Sequence, residues 1–255
     1  MTISIITVCY NSESTIVRTI ESVLSQDYPN LEYIIIDGAS TDNTMQIVSG
    51  YEAAFREKDI NLITKSEPDK GIYDAMNKGI TTASGDIIGI INSDDWLADS
   101  DTISAIAECF DRHNCATLYG NIVIVKNNKP YRYWRGGKPR TFRYGWMPPH
   151  PSFFVKKEIY AKYGTFRLDC GVNADYELML RLLEKEKVST YWLNKTLAYM
   201  SAGGTSDSGV KTRIQSIDDN KKAWILNGMK CPPLTVWLKK IRKIPQFISA
   251  KFIKI

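Results

Sequence analysis

The chain has 255 residues, enough to bury one sizeable hydrophobic core or one core with a small appended part. Its hydrophobic share of 44% and charged share of 24% are ordinary for a globular protein, and it contains no run of about 18 uncharged apolar residues that would span a bilayer. Five cysteines, an odd number without a CxxC pair, favour reduced structural thiols over a disulfide framework or a zinc site.

The net charge of +5 is concentrated at the C-terminal end. Residues 234–255 hold six basic residues and no acidic one: Lys239, Lys240, Arg242, Lys243, Lys251 and Lys254. Without these six, 27 basic residues face 28 acidic ones, so the rest of the chain has a net charge of −1. A nucleic-acid-binding protein would spread its basic residues over a surface of its body. The distribution therefore argues against nucleic acid as a partner.

Short runs rich in β-branched residues alternate with helical patterns in the first part of the chain. The runs are Ile3–Cys9, Leu31–Ile36, Ile60–Thr64 and Asp86–Ile91. Apolar residues at helical spacing predict helices between them, around residues 16–24, 45–53 and 72–80. This alternation predicts an α/β fold with a mostly parallel central sheet flanked by helices. Ligands of such sheets bind beyond the carboxyl ends of the strands, so the residues after each strand are the candidate site residues.

The pattern changes at about residue 100. A further helix around residues 103–110 leads to a predicted hairpin of Leu118–Val125 and Tyr131–Trp134, and a loop rich in Gly, Pro and Arg follows. Two more helices, around Lys156–Tyr163 and Tyr176–Lys187, precede a strand at Thr190–Met200. We therefore divide the chain into an α/β half over residues 1–99, a second region over residues 100–205, and a helical C-terminal segment over residues 206–255.

The first two strands end in residues suited to binding a nucleoside. The first runs into Thr7–Asn11, where Tyr10 offers a ring face on which a base can stack. The second runs into Asp37–Asp42, a carboxylate followed by a permissive Gly turn. Asp37 can accept a hydrogen bond from a base N–H or a ribose hydroxyl. The alternative is that Asp37 only forms the turn.

The fourth strand ends in Asn92-Ser93-Asp94-Asp95-Trp96, the sharpest signal in the sequence. Two consecutive carboxylates after a buried strand repel each other unless a cation or solvent compensates them. A divalent ion that also binds phosphate oxygens relieves this repulsion, because Mg²⁺ takes one or two carboxylates together with substrate phosphates. The alternative for Asp95 is that it caps the following helix.

Four segments in this order resemble those of family 2 glycosyltransferases, whose nucleotide-binding fold is called GT-A. They are Thr7–Asn11, Asp37–Asp42, Glu67–Gly79 and Asn92–Trp96. The resemblance covers about residues 1–205. It implies transfer of a sugar from a nucleotide diphosphate donor, usually with inversion at the anomeric carbon, and it favours a uridine diphosphate donor with Mn²⁺ or Mg²⁺ as cofactor. Residues 1–99 would then bind the nucleotide sugar, and residues 100–205 would face the acceptor.

The chain departs from the family pattern at two donor-side positions. Asn92 replaces the first acid of the family's Asp-x-Asp motif, so the metal role passes to Asp94, with Asp95 second. Met76 stands where many relatives have Arg, and Lys70 or Lys78 would replace that basic contact. The resemblance thus implies one set of donor-binding residues: Thr7, Tyr10, Asn11, Asp37, Lys70, Asn77, Asn92, Ser93 and Asp94.

An inverting sugar transfer needs a base to take the proton of the acceptor hydroxyl as it attacks. Residues 173–178 resemble the family's Glu-Asp-Tyr-Asp-Leu segment, and Asp175 matches its catalytic base, although Ala174 replaces the preceding acid. The alternative is that Asp175 is a helix N-cap. Glu177 is a weaker candidate.

Two further positions follow from the same comparison. His150 lies in a Pro-rich segment before the candidate base, as similar His residues do in the relatives, and would contact the acceptor or a phosphate. The alternative is a histidine hydrogen-bonded within its loop. Gly204 and Thr205 follow the last predicted strand and would close over the donor as a loop, or form an ordinary Gly turn.

After Pro232-Pro233 the chain forms a basic, amphipathic tail, residues 234–255. At about 100° per residue its apolar residues fall on one side and its cations largely on the other. This pattern is typical of a helix in a membrane interface that contacts anionic headgroups, with Pro245 dividing it. The alternative is docking on the protein's own core or on a second subunit. The membrane interpretation places the protein at the cytoplasmic face of the cell membrane and favours a saccharide or polyprenyl-linked acceptor from cell-surface polysaccharide synthesis.

Three other functions remain open at this point. A nucleotidyltransferase would need a Gly-rich phosphate loop after the first strand, which Thr7–Asn11 does not provide. A non-catalytic nucleotide-sugar-binding module would share the nucleoside motifs but need no base. A membrane-tethering scaffold would bind lipid and no nucleotide.

Overall fold

The computed structural model describes residues 1–203 and 210–253 of the chain. The first half contains four strands and four helices. In chain order these are β1 (Ile3–Cys9), α1 (Ile16–Leu24), β2 (Leu31–Asp37), α2 (Thr44–Gly50), α3 (Glu52–Glu57), β3 (Asn61–Ser66), α4 (Ile72–Thr82) and β4 (Ile87–Ile90). The predicted strands are confirmed, and the helix expected around residues 45–53 is divided in two at Tyr51.

The second half adds five strands and six helices to the described part of the chain. They are β5 (Trp96–Leu97), α5 (Thr102–Arg112), β6 (Thr117–Lys126), β7 (Lys129–Trp134), β8 (Phe153–Lys156), α6 (Lys157–Tyr163), α7 (Ala174–Met179), β9 (Thr190–Ser201), α8 (Val210–Leu226), α9 (Thr235–Ile241) and α10 (Ile244–Ser249). Short 3₁₀ turns lie at Phe142–Tyr144, His150–Ser152, Leu168–Asn173 and Ala250–Phe252, and a π-helical turn at Leu180–Lys185 follows α7. The predicted hairpin is confirmed as β6 and β7.

All nine strands belong to one sheet with the order β3-β2-β1-β4-β8-β6-β9-β5, and β7 pairs with β6. The first four strands are parallel. Beyond β4 the sheet is mixed, because β8 runs antiparallel to both β4 and β6 while β6 and β9 are parallel. The boundary at residue 99 therefore separates two stretches of chain that share one sheet. The α/β class is confirmed, and the parallel arrangement is confined mainly to the first half.

Two apolar layers cover the sheet. Ile3 and Ile5 of β1 face a layer that includes α1 and α5, whereas Ile6 and Val8 face a layer that includes α4 and α7. This alternation is the period of two expected of a strand. Helix α4 lies close to the sheet because Gly79 faces Ile6, and a Cβ at this position would collide with the Ile6 side chain. No helix in residues 1–203 and 210–253 is long and apolar enough to cross a membrane.

Candidate active site

The carboxyl ends of β1, β2 and β3 lie at one edge of the sheet, where Cys9 is in register with Asp37 and Asp37 with Ser66. Asp37 is fully buried. Its carboxylate accepts hydrogen bonds from the Ser40 amide at 3.0 Å, from the Ser40 hydroxyl, and from the Ser66 hydroxyl at 2.6 Å. Asp37 therefore ties the end of β2 to β3 and to its own turn. Burial, together with the nearby negative charge of Asp37, raises the pKa of the Cys9 thiol.

The loops after β1 and β2 are joined to each other. The Asn11 amide donates to Ser40 Oγ at 2.8 Å, and Asn11 Oδ1 accepts from the Thr41 amide at 2.8 Å. Asn11 has a φ of 47°, a left-handed conformation that Asn tolerates better than most residues. In this arrangement Tyr10 has 63% of its surface exposed, next to these two loops. Its ring is available for stacking.

Asp69 is a site residue that the sequence interpretation did not assign. It follows β3, as the other candidates follow their strands, and it is half-buried. A Cβ at Gly38 would meet Asp69 Oδ2 at 2.7 Å and Tyr10 Cδ2 at 3.4 Å, so these three residues form one corner. Asp69 Oδ1 also accepts from the Gly71 amide at 2.8 Å. We call Tyr10, Gly38 and Asp69, together with the buried Asp37, the nucleoside corner, after the role expected for Tyr10 and Asp37. Because Asp37 is buried, Asp69 is the more accessible carboxylate of the nucleoside corner.

The acidic motif after β4 combines one accessible and one buried carboxylate. Asp94 is half-buried, whereas Asp95 is only 1% exposed and accepts from the Ser201 amide at 3.0 Å. Asn92 Oδ1 and Asp95 Oδ2 are buried without a hydrogen-bond partner. The next helix, α5, begins at Thr102 after Asp101 at its N-cap position, so the alternative that Asp95 caps it is wrong.

The electrostatics and the donor atoms of this motif fit a hard divalent cation. Burial raises the pKa of Asp94, and burial together with the Asp94 charge raises that of Asp95 well above its usual range. Two unsatisfied oxygens and the accessible carboxylate of Asp94 form a set of oxygen donors, which Mg²⁺ and Mn²⁺ prefer. No group of three His, Cys, Asp or Glu residues suited to a metal is present in the described residues. Such an ion would thus need further oxygens from a phosphate-bearing ligand.

We expect Asp95→Asn to stabilise the metal-free protein at pH 8 by about 1–3 kcal/mol, because it removes a buried charge and keeps an oxygen that can accept from the Ser201 amide. The raised pKa means that folded Asp95 binds a proton more readily than unfolded Asp95. The contribution of Asp95 to the free energy of unfolding is therefore fully present at pH values below its unfolded pKa. It is lost as pH rises through its folded pKa. Melting temperatures between pH 4.5 and 8 in EDTA test this. The exposed Asp99→Asn is the control, and a variant less stable than wild type at pH 8 would contradict it.

The candidate base lies at the start of α7. Asn173 occupies the N-cap position and Asp175 lies in the first turn, so the alternative that Asp175 is the N-cap is wrong. Asp175 is partly exposed. The Tyr73 hydroxyl of α4 donates to the Val172 carbonyl at 2.9 Å and reaches Asp175 Oδ1 at 3.4 Å. Tyr73 was part of the recognised motif, but its contact with Asp175 depends on packing between residues distant in sequence.

His150 lies near the same carboxylate. Burial lowers the pKa of His150, and the charge of Asp175 opposes this shift. Its ring packs edge-on against Phe166 with centroids 5.8 Å apart. The structure therefore brings His150 and Tyr73 close to Asp175, the candidate base.

Helix α8 holds the base helix in place. Trp224 Nε1 donates to the Tyr176 hydroxyl at 2.9 Å, and Asn227 Nδ2 donates to Glu177 Oε1 at 3.0 Å. Glu177 is fully buried and forms an ion pair with Arg181 at 3.0 Å. Glu177 is therefore engaged inside the protein, which leaves Asp175 as the accessible carboxylate of α7.

Three other predicted donor-binding residues have hydrogen-bond partners within the protein. Thr7 is buried beneath the nucleoside corner, where its Oγ1 accepts from the Tyr33 hydroxyl at 3.0 Å. Both polar atoms of the Asn77 amide bond to the backbone of Phe166 at 2.9 Å. Ser93 Oγ lies 2.8 Å from Ser12 Oγ. Each of these three polar groups therefore already has a partner within the protein.

Of the two lysines considered in place of the family's Arg, Lys78 is engaged with Glu67 at 3.0 Å and with the Pro68 carbonyl at 2.7 Å. Lys70 is exposed. Lys70 is therefore the more available cation. Gly204 and Thr205, the predicted closing loop, lie outside the described residues.

The fold and the site together define a glycosyltransferase of the GT-A class. Residues 4–174, more than half of the chain, match the model of the family described as Glycosyl transferase family 2, and the chain belongs to this family. An uncharacterized glycosyltransferase of Mycobacterium tuberculosis (strain ATCC 25618 / H37Rv) is 33% identical over 191 residues, which are 71% of this chain and 68% of the relative. The family resemblance inferred from the four sequence segments is therefore confirmed, and the protein is an enzyme.

Two more distant comparisons carry information on ligands of other proteins. A UDP-Glc:alpha-D-GlcNAc-diphosphoundecaprenol beta-1,3-glucosyltransferase of Escherichia coli, WfgD, is 37% identical over 127 residues, 49% of this chain and 47% of WfgD. The match thus spans less than half of WfgD. The mannosyltransferase PcManGT from Pyrobaculum calidifontis, in complex with GDP-Man and Mn²⁺, shares the fold with a TM-score of 0.63 at 19% identity, covering 97% of this chain and 73% of PcManGT.

Proposed function

We propose that the protein transfers a sugar from a nucleotide diphosphate donor, a UDP-sugar, to a saccharide on a lipid-linked acceptor, with inversion by direct displacement. One observation carries this proposal. The loop between β3 and α4 touches the nucleoside corner through Asp69 at Gly38, and four residues later the first turn of α4 touches the candidate base through Tyr73 at Asp175. A donor seated at the corner therefore has the base within one short segment of its binding site.

On the donor side, Tyr10 stacks on the base, and Asp69, with Asp37 behind it, accepts hydrogen bonds from the nucleoside. Asn92 and Asp94 would hold a divalent ion, with Asp95 buried behind them. When bound, this ion neutralises the charge that develops on the departing diphosphate. Lys70, which is exposed in the loop just before α4, adds a cation near the phosphates. The Mn²⁺ in the PcManGT complex and the UDP-glucose in the name of WfgD support this assignment.

On the acceptor side, Asp175 takes the proton of the attacking hydroxyl. The acceptor oxygen forms a bond with the anomeric carbon while the bond from that carbon to the diphosphate oxygen breaks. The electron pair leaves with the diphosphate, and the proton ends on the Asp175 carboxylate. Tyr73 orients this carboxylate from one side, at 3.4 Å. His150, half-buried near Asp175, contacts the acceptor.

Thermal stabilisation against a panel of nucleotide diphosphates and their sugars, with and without Mn²⁺, tests the donor assignment. Ligands that bind only the folded state raise its stability, by about 2.7 kcal/mol at a hundredfold excess over Kd. We expect stabilisation by UDP and a UDP-sugar only when Mn²⁺ is present, and little by GDP. Stabilisation by GDP alone would overturn the uridine assignment, and stabilisation independent of metal would overturn the metal's role.

We also propose that the tail holds the protein against an anionic membrane at the cytoplasmic face. Helix α9 docks on the protein, since Thr235 Oγ1 donates to the Arg143 carbonyl at 2.8 Å and Arg242 Nε to the Tyr144 carbonyl at 2.8 Å. One side of α9 therefore packs on the protein itself, as the alternative interpretation of the tail expects. Exposed apolar side chains lie along the tail, at Leu234, Trp237 and Ile241 in or next to α9 and at Ile244, Ile248 and Phe252 in or after α10. We call these six residues the apolar tail surface.

Cations lie close to the apolar tail surface. Lys240 is exposed, and the pKa of Arg242 is lowered by burial and by the nearby charge of Arg140. Arg140 belongs to the Gly-, Pro- and Arg-rich loop, so the basic region extends from the tail onto the body. Apolar residues beside unneutralised cations suit a bilayer with anionic headgroups. This charge pattern favours a membrane over a second copy of the chain, which would have to place like charges together.

We expect the double variant Trp237→Glu/Ile248→Glu to lose most of its sedimentation with phosphatidylglycerol vesicles while keeping nucleotide binding. Each residue has 60% or more of its surface exposed, so the changes leave the fold intact. Burying two such side chains is worth about 1.5–3 kcal/mol each, which corresponds to at least a tenfold loss of affinity. Val17→Glu on α1 is the matched control. Unchanged sedimentation of the double variant would refute membrane binding by the tail.

A further inference from the structure

Lys239 is a tail residue whose charge is directed into the protein. Its Nζ lies 4.1 Å from the centroid of the Tyr176 ring and donates to Asn220 Oδ1 at 3.2 Å. Tyr176 directly follows Asp175, and the charge of Asp175 raises the pKa of this ammonium. The neighbouring Lys240, in contrast, is exposed, and its Nζ lies over the ring of Trp237 in the same helix.

The backbone of α9 fixes this position. Gly145, with a φ of 70°, faces Lys239, and a Cβ there would collide with the Lys239 backbone nitrogen. The bonds of Thr235 and Arg242 to the turn at Phe142–Tyr144 hold the helix at both ends. Lys239 is therefore presented to α7 by a docked helix and not by a freely moving one.

The charge of Lys239 is only partly compensated. In residues 1–203 and 210–253, no carboxylate oxygen lies within 4.0 Å of Lys239 Nζ, so Lys239 forms no ion pair there. The partners of Lys239 Nζ are the amide oxygen of Asn220 and the ring face of Tyr176. Burial lowers the pKa of Lys239 to about 8, Lys243 acts in the same direction, and only Asp175 opposes them. A half-buried cation in such surroundings is unfavourable unless a nearby anion neutralises its charge.

The position of Lys239 indicates which anion this is. In the proposed function, Asn92 and Asp94 already account for the donor diphosphate. The Lys239 side chain reaches the residue next to Asp175, where the acceptor hydroxyl must react, and it belongs to the same helix as Trp237 and Ile241 of the apolar tail surface, where a lipid chain would lie. A lipid-linked acceptor carries its phosphate between these two parts. We infer that Lys239 binds the phosphate or diphosphate group of the lipid-linked acceptor, an inference that rests on the proposed function.

Binding of farnesyl diphosphate in the absence of donor tests the inference, with farnesol as the uncharged probe. We expect Lys239→Met to weaken farnesyl diphosphate binding by about 10- to 100-fold, the value of one charge-assisted hydrogen bond. Farnesol binding should not change. Lys240→Met is the matched control, because it removes the same charge from the adjacent exposed position, and we expect less than about a twofold effect.

Two further measurements separate the possible failures. Affinity for UDP with Mn²⁺ should be equal in Lys239→Met and wild type; a loss there, without loss of farnesyl diphosphate binding, would assign Lys239 to the donor and overturn the inference. Lys239→Arg should retain binding of farnesyl diphosphate, which keeps the test valid if Lys239→Met does not fold. Equal binding by Lys239→Met and Lys240→Met would also overturn it. Failure of wild type to bind UDP with Mn²⁺ would instead refute the proposed function.

Discussion

Asp175→Asn should lower kcat for sugar transfer by about 10²–10⁴-fold, the usual contribution of a positioned general base. The amide keeps the size of the side chain and its contact with Tyr73 but cannot take the proton of the acceptor hydroxyl. Affinity for the UDP-sugar with Mn²⁺ should remain unchanged, because the nucleoside corner and the acidic motif are intact. Steady-state kinetics together with a thermal shift by UDP measure the two effects separately.

Asp169→Asn provides the control for this variant. Asp169 precedes α7 by a few residues, is exposed, and pairs with Arg167 at 2.7 Å, so its loss should leave kcat within about twofold. A non-catalytic nucleotide-sugar-binding module would show no turnover in wild type. Equal kcat in wild type and Asp175→Asn would remove Asp175 as the base and reopen the question for His150.

Asp94→Asn should weaken binding of UDP in Mn²⁺ by about 100-fold or more, because the metal–phosphate interaction is worth several kcal/mol. Asp94 is the accessible carboxylate of the motif, whereas Asp95 is bonded to the Ser201 amide. The variant should bind UDP with the same low affinity with and without Mn²⁺. Calorimetric titration with UDP in Mn²⁺ and in EDTA measures this difference.

Asp99→Asn is the matched control for Asp94, since Asp99 is exposed and pairs with Lys195 at 3.3 Å. We expect this control to keep full metal-dependent binding. If Asp94→Asn bound UDP as tightly as wild type in Mn²⁺, the metal role of the motif would be refuted. A parallel loss in both variants would indicate a general charge effect and not a specific ligand.

Much of the fold was predictable because its elements have strong local signals. The buried runs of β1 and β2 and the hairpin of β6 and β7 were placed within a residue or two. The sheet order beyond β4 was not predictable, since the antiparallel pairing of β8 with β4 and β6 joins segments far apart in sequence. Local hydrophobic pattern identifies a strand but does not identify its neighbour.

The site divides in the same way. Residues that follow strands, such as Tyr10 and Asp94, could be selected as candidates from their position in the chain. Asp69 was overlooked because β3 is a half-exposed edge strand whose end was not treated as a site position, although the same rule applies to it. The inward position of Lys239 was not predicted, because the helical pattern placed it with the other tail cations on the side opposite the apolar residues. Only the docking of α9 on the turn at Phe142–Tyr144 turns this lysine inward.

The central claim is that Asp94, with Asn92, binds the donor diphosphate through a divalent cation. Crystals grown with UDP and Mn²⁺ test it by anomalous scattering at a manganese-sensitive wavelength. We predict one peak within about 2.0–2.6 Å of an Asp94 oxygen, the bonding range of hard cations, and in contact with both phosphates of UDP. UDP bound at Tyr10 without such a peak, or a peak whose ligands exclude Asp94, would contradict the account.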